Sequence, residues 1–463
     1  SSNTEASGRF HTDWLNMTYP RLKLARNLLR EDGVIFISID DNELDDLRKV
    51  CDEVFGEENR VAIICHKSRA SVSNDKIISS NHNFVLLYAR NGTLIFENRA
   101  KFGLPPQLDG FDKKDKKGEF KYVPVDGPGG AAKGNPFYTF LGVTGYWRFS
   151  EERMNRMYEE GLIEKVGGGL QQKYYLEDAK HSRKTDTTWW DEKLYTSTAS
   201  SRLKNLMGGA AFDNPKPIEL VQRMMELWVR SKSDVVLDFF GGSGTTGHAS
   251  FAQTAKDGVT RRFILVQLPQ PLDPNNKEQK TAVAFCEELG KPRTIAELTK
   301  ERLRRAGKKI KEENPLFVGD LGFRVFKLDS TNIREWEPKR EALGEELEDA
   351  IDHLKTDRTE QDILFELLLK LGLDLCVPIE EREIAGKTVH NIGAGTLLAC
   401  LSEEIRRNEV EKLALGIAQW HAELAPAGET QCLFRDSAFA DDVAKSNLAA
   451  ILEQHGLKNV RSL

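Results

Sequence analysis

Cysteine is scarce in this 463-residue sequence and badly placed for metal. The six residues Cys51, Cys65, Cys286, Cys376, Cys400 and Cys432 are scattered, with no CxxC or other ligand spacing, so a zinc ribbon or disulfide framework is excluded and reduced, buried thiols are expected. No run approaches the ~20 uninterrupted apolar residues of a membrane-spanning helix. The first thirty residues lack the basic, apolar and small-residue regions of a signal peptide, which makes a cytoplasmic location the expectation. Internal repeats are absent as well. What the chain does have is 40% hydrophobic residues, enough to fill two or three cores at roughly 150 residues per domain.

Charge is unevenly distributed. The net value is -6, yet residues 66–210 hold 23 Lys/Arg against 17 Asp/Glu, a balance of +6, while residues 316–463 hold 17 against 28, a balance of -11. A basic middle suits a polyphosphate partner, because each neutralised phosphate releases counterions; an acidic end does not.

The pattern along the chain is that of an α/β protein. Helical spacing from Phe10 stops at Asp32-Gly33, and the apolar run Val34 to Ile39 suits a strand buried on both faces of a parallel sheet. Asp41-Asn42 can cap a helix to about Phe55, and the runs Val61 to Cys65 and Phe84 to Tyr88 add two strands. From about Asn91 the alternation breaks, and Lys113-Lys114, Lys116-Lys117, Tyr146-Trp147-Arg148, Lys173-Tyr174-Tyr175 and Trp189-Trp190 mix basic with aromatic residues. A helix from Pro215 to about Arg230, the strand Val235 to Asp238, a helix from Thr245 and the strand Phe263 to Leu268 restore it, and the two α/β stretches are expected to share one sheet. A charged helix from Thr294 to about Lys311 leads to Asn314-Pro315, read as a linker, and the alternating Phe323 to Leu328 reads as the first strand of a last α+β domain. The divisions are therefore 1–90, 91–210, 211–315 and 316–463.

The strongest motif is Asp238-Phe239-Phe240-Gly241-Gly242-Ser243-Gly244-Thr245-Thr246, between a strand and a helix. Glycines there allow close backbone approach to a ligand, and the free N–H groups of the helix start favour a carboxylate or phosphate. No Gly-Lys-Ser/Thr closes a Walker A loop, and the spacing is not GxGxxG.

Several segments in order carry a resemblance. Thr12-Asp13-Trp14-Leu15, Tyr19-Pro20-Arg21-Leu22, Asp32 to Glu43, Asp213-Asn214-Pro215-Lys216-Pro217, Asp238 to Thr246, Arg262 to Pro269, Asp320 to Phe323 and Phe434 to Ser437 resemble β-class DNA amino-methyltransferases, specifically the modification subunits of type III restriction-modification systems. The resemblance implies a Rossmann-like sheet binding S-adenosyl-L-methionine (AdoMet), an inserted target-recognition domain and a C-terminal α+β domain for subunit contacts. It implies methylation of the adenine N6 amino group in double-stranded DNA, with a second copy of the chain and an ATP-dependent restriction subunit as partners. Cytosine-N4 methylation and a non-catalytic DNA-specificity subunit are the alternatives.

The same resemblance assigns the cofactor to Asp238, Phe239, Phe240, Gly241, Gly242, Ser243, Gly244, Thr245 and Thr246, with Asp213, Lys216 and Pro217 beside its methionine end. Gln267 stands where many methyltransferases place an acid for the ribose hydroxyls. Lys113, Lys114, Lys116, Lys117, Tyr146, Trp147 and Arg148 are the candidates for DNA contact. The family's catalytic Asp-Pro-Pro-Tyr, which holds a flipped-out base, does not occur; Asn135-Pro136-Phe137-Tyr138 lies inside the insertion and reads as coincidence, and the motif is expected upstream of Ser1. His82 and Tyr88 fall near the family's target-base pocket but equally suit a core, and Asp40-Asp41 read as a strand end and a helix cap. No metal site is expected.

Overall fold

The computed structural model describes residues 11–74, 77–192, 194–212, 214–229, 231–334 and 354–463. It divides into two units, residues 1–322 and 323–463. The polar opening Ser1 to Gly8 and the candidate Asp213 lie outside the described residues.

The first unit opens with α1 (Thr12–Leu28), β1 (Val34–Ile39), α2 (Leu44–Phe55), β2 (Arg60–Lys67) and β3 (His82–Ala89). In α2 the residues Leu47, Cys51, Val54 and Phe55 recur at helical spacing and are buried against Leu22, Leu86 and Tyr88. Gly56, at φ 94°, ends the helix; that left-handed conformation suits glycine. Contrary to the expectation from sequence, Asp41 does not cap this helix: Glu43 occupies the cap position, and Asp41 accepts from the Ser80 hydroxyl at 2.9 Å. β1 pairs with β3, and β3 with β2, both antiparallel. That departs from the parallel sheet expected, and β1 is half-buried along its length; an apolar run marks a strand without fixing the direction of its neighbour.

Beyond α3 (Gly92–Glu97) the insertion builds β4 (Lys113–Asp115), β5 (Gly118–Pro124), β6 (Phe137–Phe140), β7 (Val143–Tyr146), α4 (Glu151–Glu159), β8 (Ile163–Val166), β9 (Gly169–Tyr175) and α5 (Leu176–Lys180). A sheet in the order β4-β5-β9-β8 and the β6-β7 hairpin enclose a core of Val125, Phe140, Trp147, Met154, Ile163 and Leu170. The chain then returns: β10 (Trp189–Trp190) pairs parallel with β2, and the buried Trp190 packs beside Ile64 and Val85.

After α6 (Thr196–Met207) come α7 (Ile218–Trp228), β11 (Val235–Asp238), α8 (Thr245–Asp257), β12 (Arg262–Leu265), α9 (Lys280–Glu288) and α10 (Ile295–Glu313). β11 and β12 form a parallel pair of their own, so among the described residues the two α/β stretches do not share one continuous hydrogen-bonded sheet. Side chains join them instead. Leu220 and Leu227 of α7 enter the core with Ile64 and Val85, the Phe36 and Trp228 rings meet edge-on at 6.1 Å, and Arg30 pairs with Asp234 at 3.0 Å. Thr294 caps α10 by accepting from the Glu297 N–H. Leu321 remains buried against this unit, with its carbonyl 3.4 Å from where a Cβ on Gly307 would lie, so the first unit runs past Asn314-Pro315.

In the second unit the strands β13 (Ile379–Ile384), β14 (Lys387–Ile392), β15 (Leu397–Cys400), β16 (Gln431–Phe434) and β17 (Asn459–Ser462) form one sheet in that order, antiparallel through β15 and parallel thereafter. Alternation sorts its side chains: Leu398, Cys400, Cys432 and Phe434 pack with the helices Val410–Leu424 and Asp442–Gln454, while Leu397, Ala399 and Leu433 pack with the helix Glu360–Lys370. The strand expected at Phe323 to Leu328 does not form among the described residues. That stretch is tied down by side chains, with Arg324 donating to the Val377 carbonyl and the Phe326 ring edge-on to Phe365 at 4.9 Å; an alternating pattern makes no strand without an edge to pair with.

All six cysteines are free, and Cys376 is exposed, contrary to the expectation of burial; burial pushes the thiols of Cys51 and Cys432 up to about 12. No helix among the described residues is long and apolar enough to cross a membrane.

Candidate functional site

The glycine-rich loop is fastened at both ends. Asp238, the last residue of β11, accepts from the Phe240 N–H at 3.0 Å and from the Thr246 hydroxyl at 2.6 Å, joining the strand end to the first turn of α8. The ladder continues into the loop, with the Val266 N–H donating to the Asp238 carbonyl and the Gly241 N–H to the Val266 carbonyl. Gly242 and Gly244 sit at φ 48° and 74°, the left-handed region where a side chain is strained. Gly247 lets α8 lie close: a Cβ there would meet Leu303 at 2.8 Å and Phe263 at 3.1 Å. No side chain caps α8, so its first N–H groups are offered to the space beyond the loop.

Gln267 turns inward to the same loop. Its Oε1 accepts from the Gly242 N–H at 2.7 Å and its Nε2 donates to the Leu268 carbonyl, so the amide expected to meet a ribose is engaged in holding the loop. Phe239 and Phe240 stack obliquely at 5.1 Å, and Phe240 is exposed.

Two residues that sequence reading passed over hold the loop from behind. The Thr299 hydroxyl of α10 lies 2.5 Å from the Gly242 carbonyl and 3.0 Å from the Ile295 carbonyl and shares its one proton between them. Arg302, 3% exposed, directs Nη1 at the Ser243 carbonyl (3.1 Å), the Ser243 hydroxyl (2.8 Å) and the Thr245 hydroxyl (3.0 Å). Its Nε faces His248 Nδ1 at 3.4 Å. Burial, then the Arg302 and Lys309 charges, push the His248 imidazole down to about 3, so it is neutral and accepts. A signal for both residues existed: the buried stripe Leu298, Thr299, Arg302, Leu303, Ala306, Ile310 of α10 includes them.

The segment after Asp213 lies apart from these bonds. Pro217 is the buried N-cap of α7, and the exposed Lys216 places its charge near His66 of β2, whose imidazole is pushed down chiefly by burial. Asn214 lines a cavity of about 530 Å³ with Ser200, Lys204, Phe212 and Glu278. The segment reaches the loop through α7, which packs along α8 with Gln222 donating to Gln253 at 3.0 Å.

In the insertion the DNA candidates divide. Trp147 is 1% exposed and its indole N–H donates to the Tyr138 carbonyl, so it serves the core and is not presented to a ligand, contrary to the expectation from sequence. Lys113, Lys114, Lys116 and Lys117 are exposed on β4 and its turn, Arg148 is exposed with Nε on the Asp126 carbonyl, and Tyr146 packs on Phe137. Tyr138 donates to the Phe149 carbonyl within the β6-β7 region, so the Asn135 to Tyr138 string is structural. Tyr88 is buried and donates to Asp52 at 2.7 Å, a core role, while His82 stands 3.6 Å from Asp41.

The family model described as DNA methylase matches residues 2–266. The Mod subunit of the type III restriction-modification enzyme StyLTI from Salmonella typhimurium (strain LT2) is 34% identical over 328 residues, covering 68% of this chain and 48% of that protein. The EcoPI Mod subunit from Escherichia phage P1 is 28% identical over 420 residues, 82% of this chain and 62% of that protein. The type II methyltransferase M.KpnI from Klebsiella pneumoniae is 27% identical over 328 residues, 63% of this chain and 74% of that protein. The chain thus spans about half to three-fifths of the length of the two type III relatives. Its α/β core, its glycine-rich loop between β11 and α8, and a family match over more than half of its length place one conclusion beyond fold alone: the chain belongs to the DNA methylase family.

Proposed function

We propose that this chain is the cofactor-binding and DNA-reading portion of a type III modification subunit that methylates the N6 amino group of adenine in duplex DNA. The observation that carries it is the Asp238 to Thr246 loop, preformed by Asp238, Gln267, Thr299 and Arg302 around an uncapped helix start. The residues present fit AdoMet. The left-handed glycines bring backbone close to a ligand, the hydroxyls and N–H groups at Ser243 and Thr245 suit a carboxylate, and the exposed Phe240 ring gives an apolar wall. AdoMet supplies a methyl group on a positively charged sulfur, activated for transfer to an amine. Gln267 contributes by fixing Gly242, and its carbonyl oxygen keeps a second lone pair for a ligand hydroxyl. Lys216 and Pro217, at the start of α7, are assigned to the methionine end of the cofactor. No residue of this sequence is assigned to the transfer step, since Asp-Pro-Pro-Tyr does not occur in it.

Lys113, Lys114, Lys116, Lys117, Tyr146 and Arg148 are the insertion residues we assign to DNA, as phosphate and groove contacts. A second copy of the chain and an ATP-dependent restriction subunit are the protein partners, met through the acidic second unit, and the complex acts in the cytoplasm. Mass spectrometry of nucleosides from DNA of a methylation-free host expressing the natural gene tests the reaction: N6-methyladenine is expected, and N4-methylcytosine in its place would overturn the adenine assignment. Removing residues 323–463 is expected to abolish co-purification with the restriction subunit and leave AdoMet titration unchanged; a complex of undiminished yield would refute the role of the second unit.

A further inference from the structure

Arg302 stands out as a buried cation with no carboxylate paired to it among the described residues. Desolvating an arginine is unfavourable unless something compensates its charge. Burial pulls the guanidinium down to about 10, with no acid opposing that shift, so it remains protonated at neutral pH. Its partners are neutral oxygens of the cofactor loop and a neutral imidazole.

The hydrogen-bond inventory at this point is restrictive. Nη1 donates to the Ser243 and Thr245 hydroxyl oxygens, so each hydroxyl is an acceptor toward Arg302 and keeps its own proton to donate. The two oxygens lie 3.1 Å apart, so one hydroxyl can donate to the other. Thr245 is buried at 8% exposed and Ser243 is half-exposed; the favoured order is Thr245 to Ser243, with the Ser243 proton left pointing outward. Each donation polarises the next, so the outermost proton is the strongest donor of the series. The uncapped N–H groups of α8 open on the same loop.

We infer that Arg302 is a positioning residue that holds the Thr245 and Ser243 hydroxyls in series, so that the Ser243 proton is the donor to the ligand's carboxylate, whose charge compensates the buried guanidinium. The inference rests on the reading that this loop binds AdoMet, and it adds the residue that selects for the amino-acid end of the ligand. A merely structural Arg302 would affect every ligand of the loop equally.

The test is calorimetric titration of the 463-residue chain with AdoMet and with decarboxylated AdoMet, which lacks only the carboxylate. The wild-type chain is expected to prefer AdoMet. Arg302→Met is expected to lower AdoMet affinity about tenfold or more while leaving decarboxylated AdoMet within twofold, and Arg302→Lys to recover part of the loss. Should Arg302→Met fail to fold by circular dichroism, Ser243→Ala takes its place with the same expected selectivity. Equal losses for both ligands, or no loss for either, would overturn the inference and leave the cofactor reading standing. A wild-type chain that binds neither ligand overturns the cofactor reading and this inference with it.

Discussion

Replacing Asp238 by alanine is the sharpest perturbation of the loop, because its two bonds differ in what their loss costs. The Phe240 N–H lies in an exposed part of the chain, where water replaces the lost acceptor at little cost. Thr246 is only 8% exposed, and its hydroxyl donates to the carboxylate at 2.6 Å. Losing that charge-assisted bond and stranding a buried hydroxyl costs about 2 kcal/mol. Part of this falls on stability and part on the free energy needed to reorder the loop around a ligand. An AdoMet Kd about tenfold higher, some 1.4 kcal/mol, is therefore expected by calorimetry. Thr246→Val removes the same bond from the other side and is expected to cost a similar amount. Because both changes break one interaction, the double variant should lose about 1–2 kcal/mol less than the sum of the singles. An Asp238→Ala chain that binds AdoMet within twofold of wild type, or strictly additive losses in the cycle, would refute this account of the loop.

Gly244→Ala places a Cβ at φ 74° and 3.0 Å from the Thr299 methyl, for an expected loss of about 1–3 kcal/mol and weaker AdoMet binding. Gly258→Ala, at φ 72° with open space around it and outside the loop, should lower stability alone; equal effects on binding would show that backbone strain and not loop geometry is being measured. Trp147→Ala empties the insertion core at an expected cost of about 3–5 kcal/mol, so hydrogen exchange should rise across β5, β8 and β9 while AdoMet affinity holds. Asp115, held down to about 2 first by its bond to Lys173 and then by the Lys117 N–H and the Tyr175 hydroxyl, has a folded value below its ordinary one. Its contribution is therefore present above pH ~4 and lost as pH falls toward 2, so protection of β4, β5 and β9 should be flat from pH 7 to 5 and drop below 4; a drop already at pH 6 would contradict the assignment.

The elements with strong periodicity were legible in the sequence: β1, β2, β3, β11, α8 and α10 lie where apolar spacing puts them. What spacing could not supply was partnership. The run Val34 to Ile39 has the composition of a strand buried on both faces, yet its neighbour is the antiparallel β3, and the regular Phe323 to Leu328 pairs with no strand among the described residues. Trp189-Trp190 resembled the aromatic residues of the insertion but belongs to the main sheet, because two tryptophans carry no mark of which core they enter. The loop itself was legible from Asp238 to Thr246 as a glycine-rich turn between a strand and a helix. Its supports were passed over although Thr299 and Arg302 fall on the apolar stripe of α10, because in a helix so rich in lysine, arginine and glutamate one inward arginine looks like its neighbours.

The same distinction between composition and partnership governs the charge of the insertion. A balance of +6 over residues 66–210 suggests a broad basic surface. In the structure much of that charge is answered locally: Lys113 faces Asp112 at 3.8 Å, Lys114 faces Glu119 at 4.0 Å, and Lys173 is held between Asp115 and Glu164. Lys117 spends a donor on the Glu160 carbonyl but keeps its charge, and Arg148 does the same at Asp126. Exposed pairs are weak, on the order of 0–1 kcal/mol, so phosphates can displace the carboxylates facing Lys113 and Lys114. They will not displace those around Lys173, which is doubly paired and only 11% exposed. Under the proposed contact with DNA, the field would be set by Lys116, Lys117 and Arg148 first and by Lys113 and Lys114 second, a ranking that no count of residues contains.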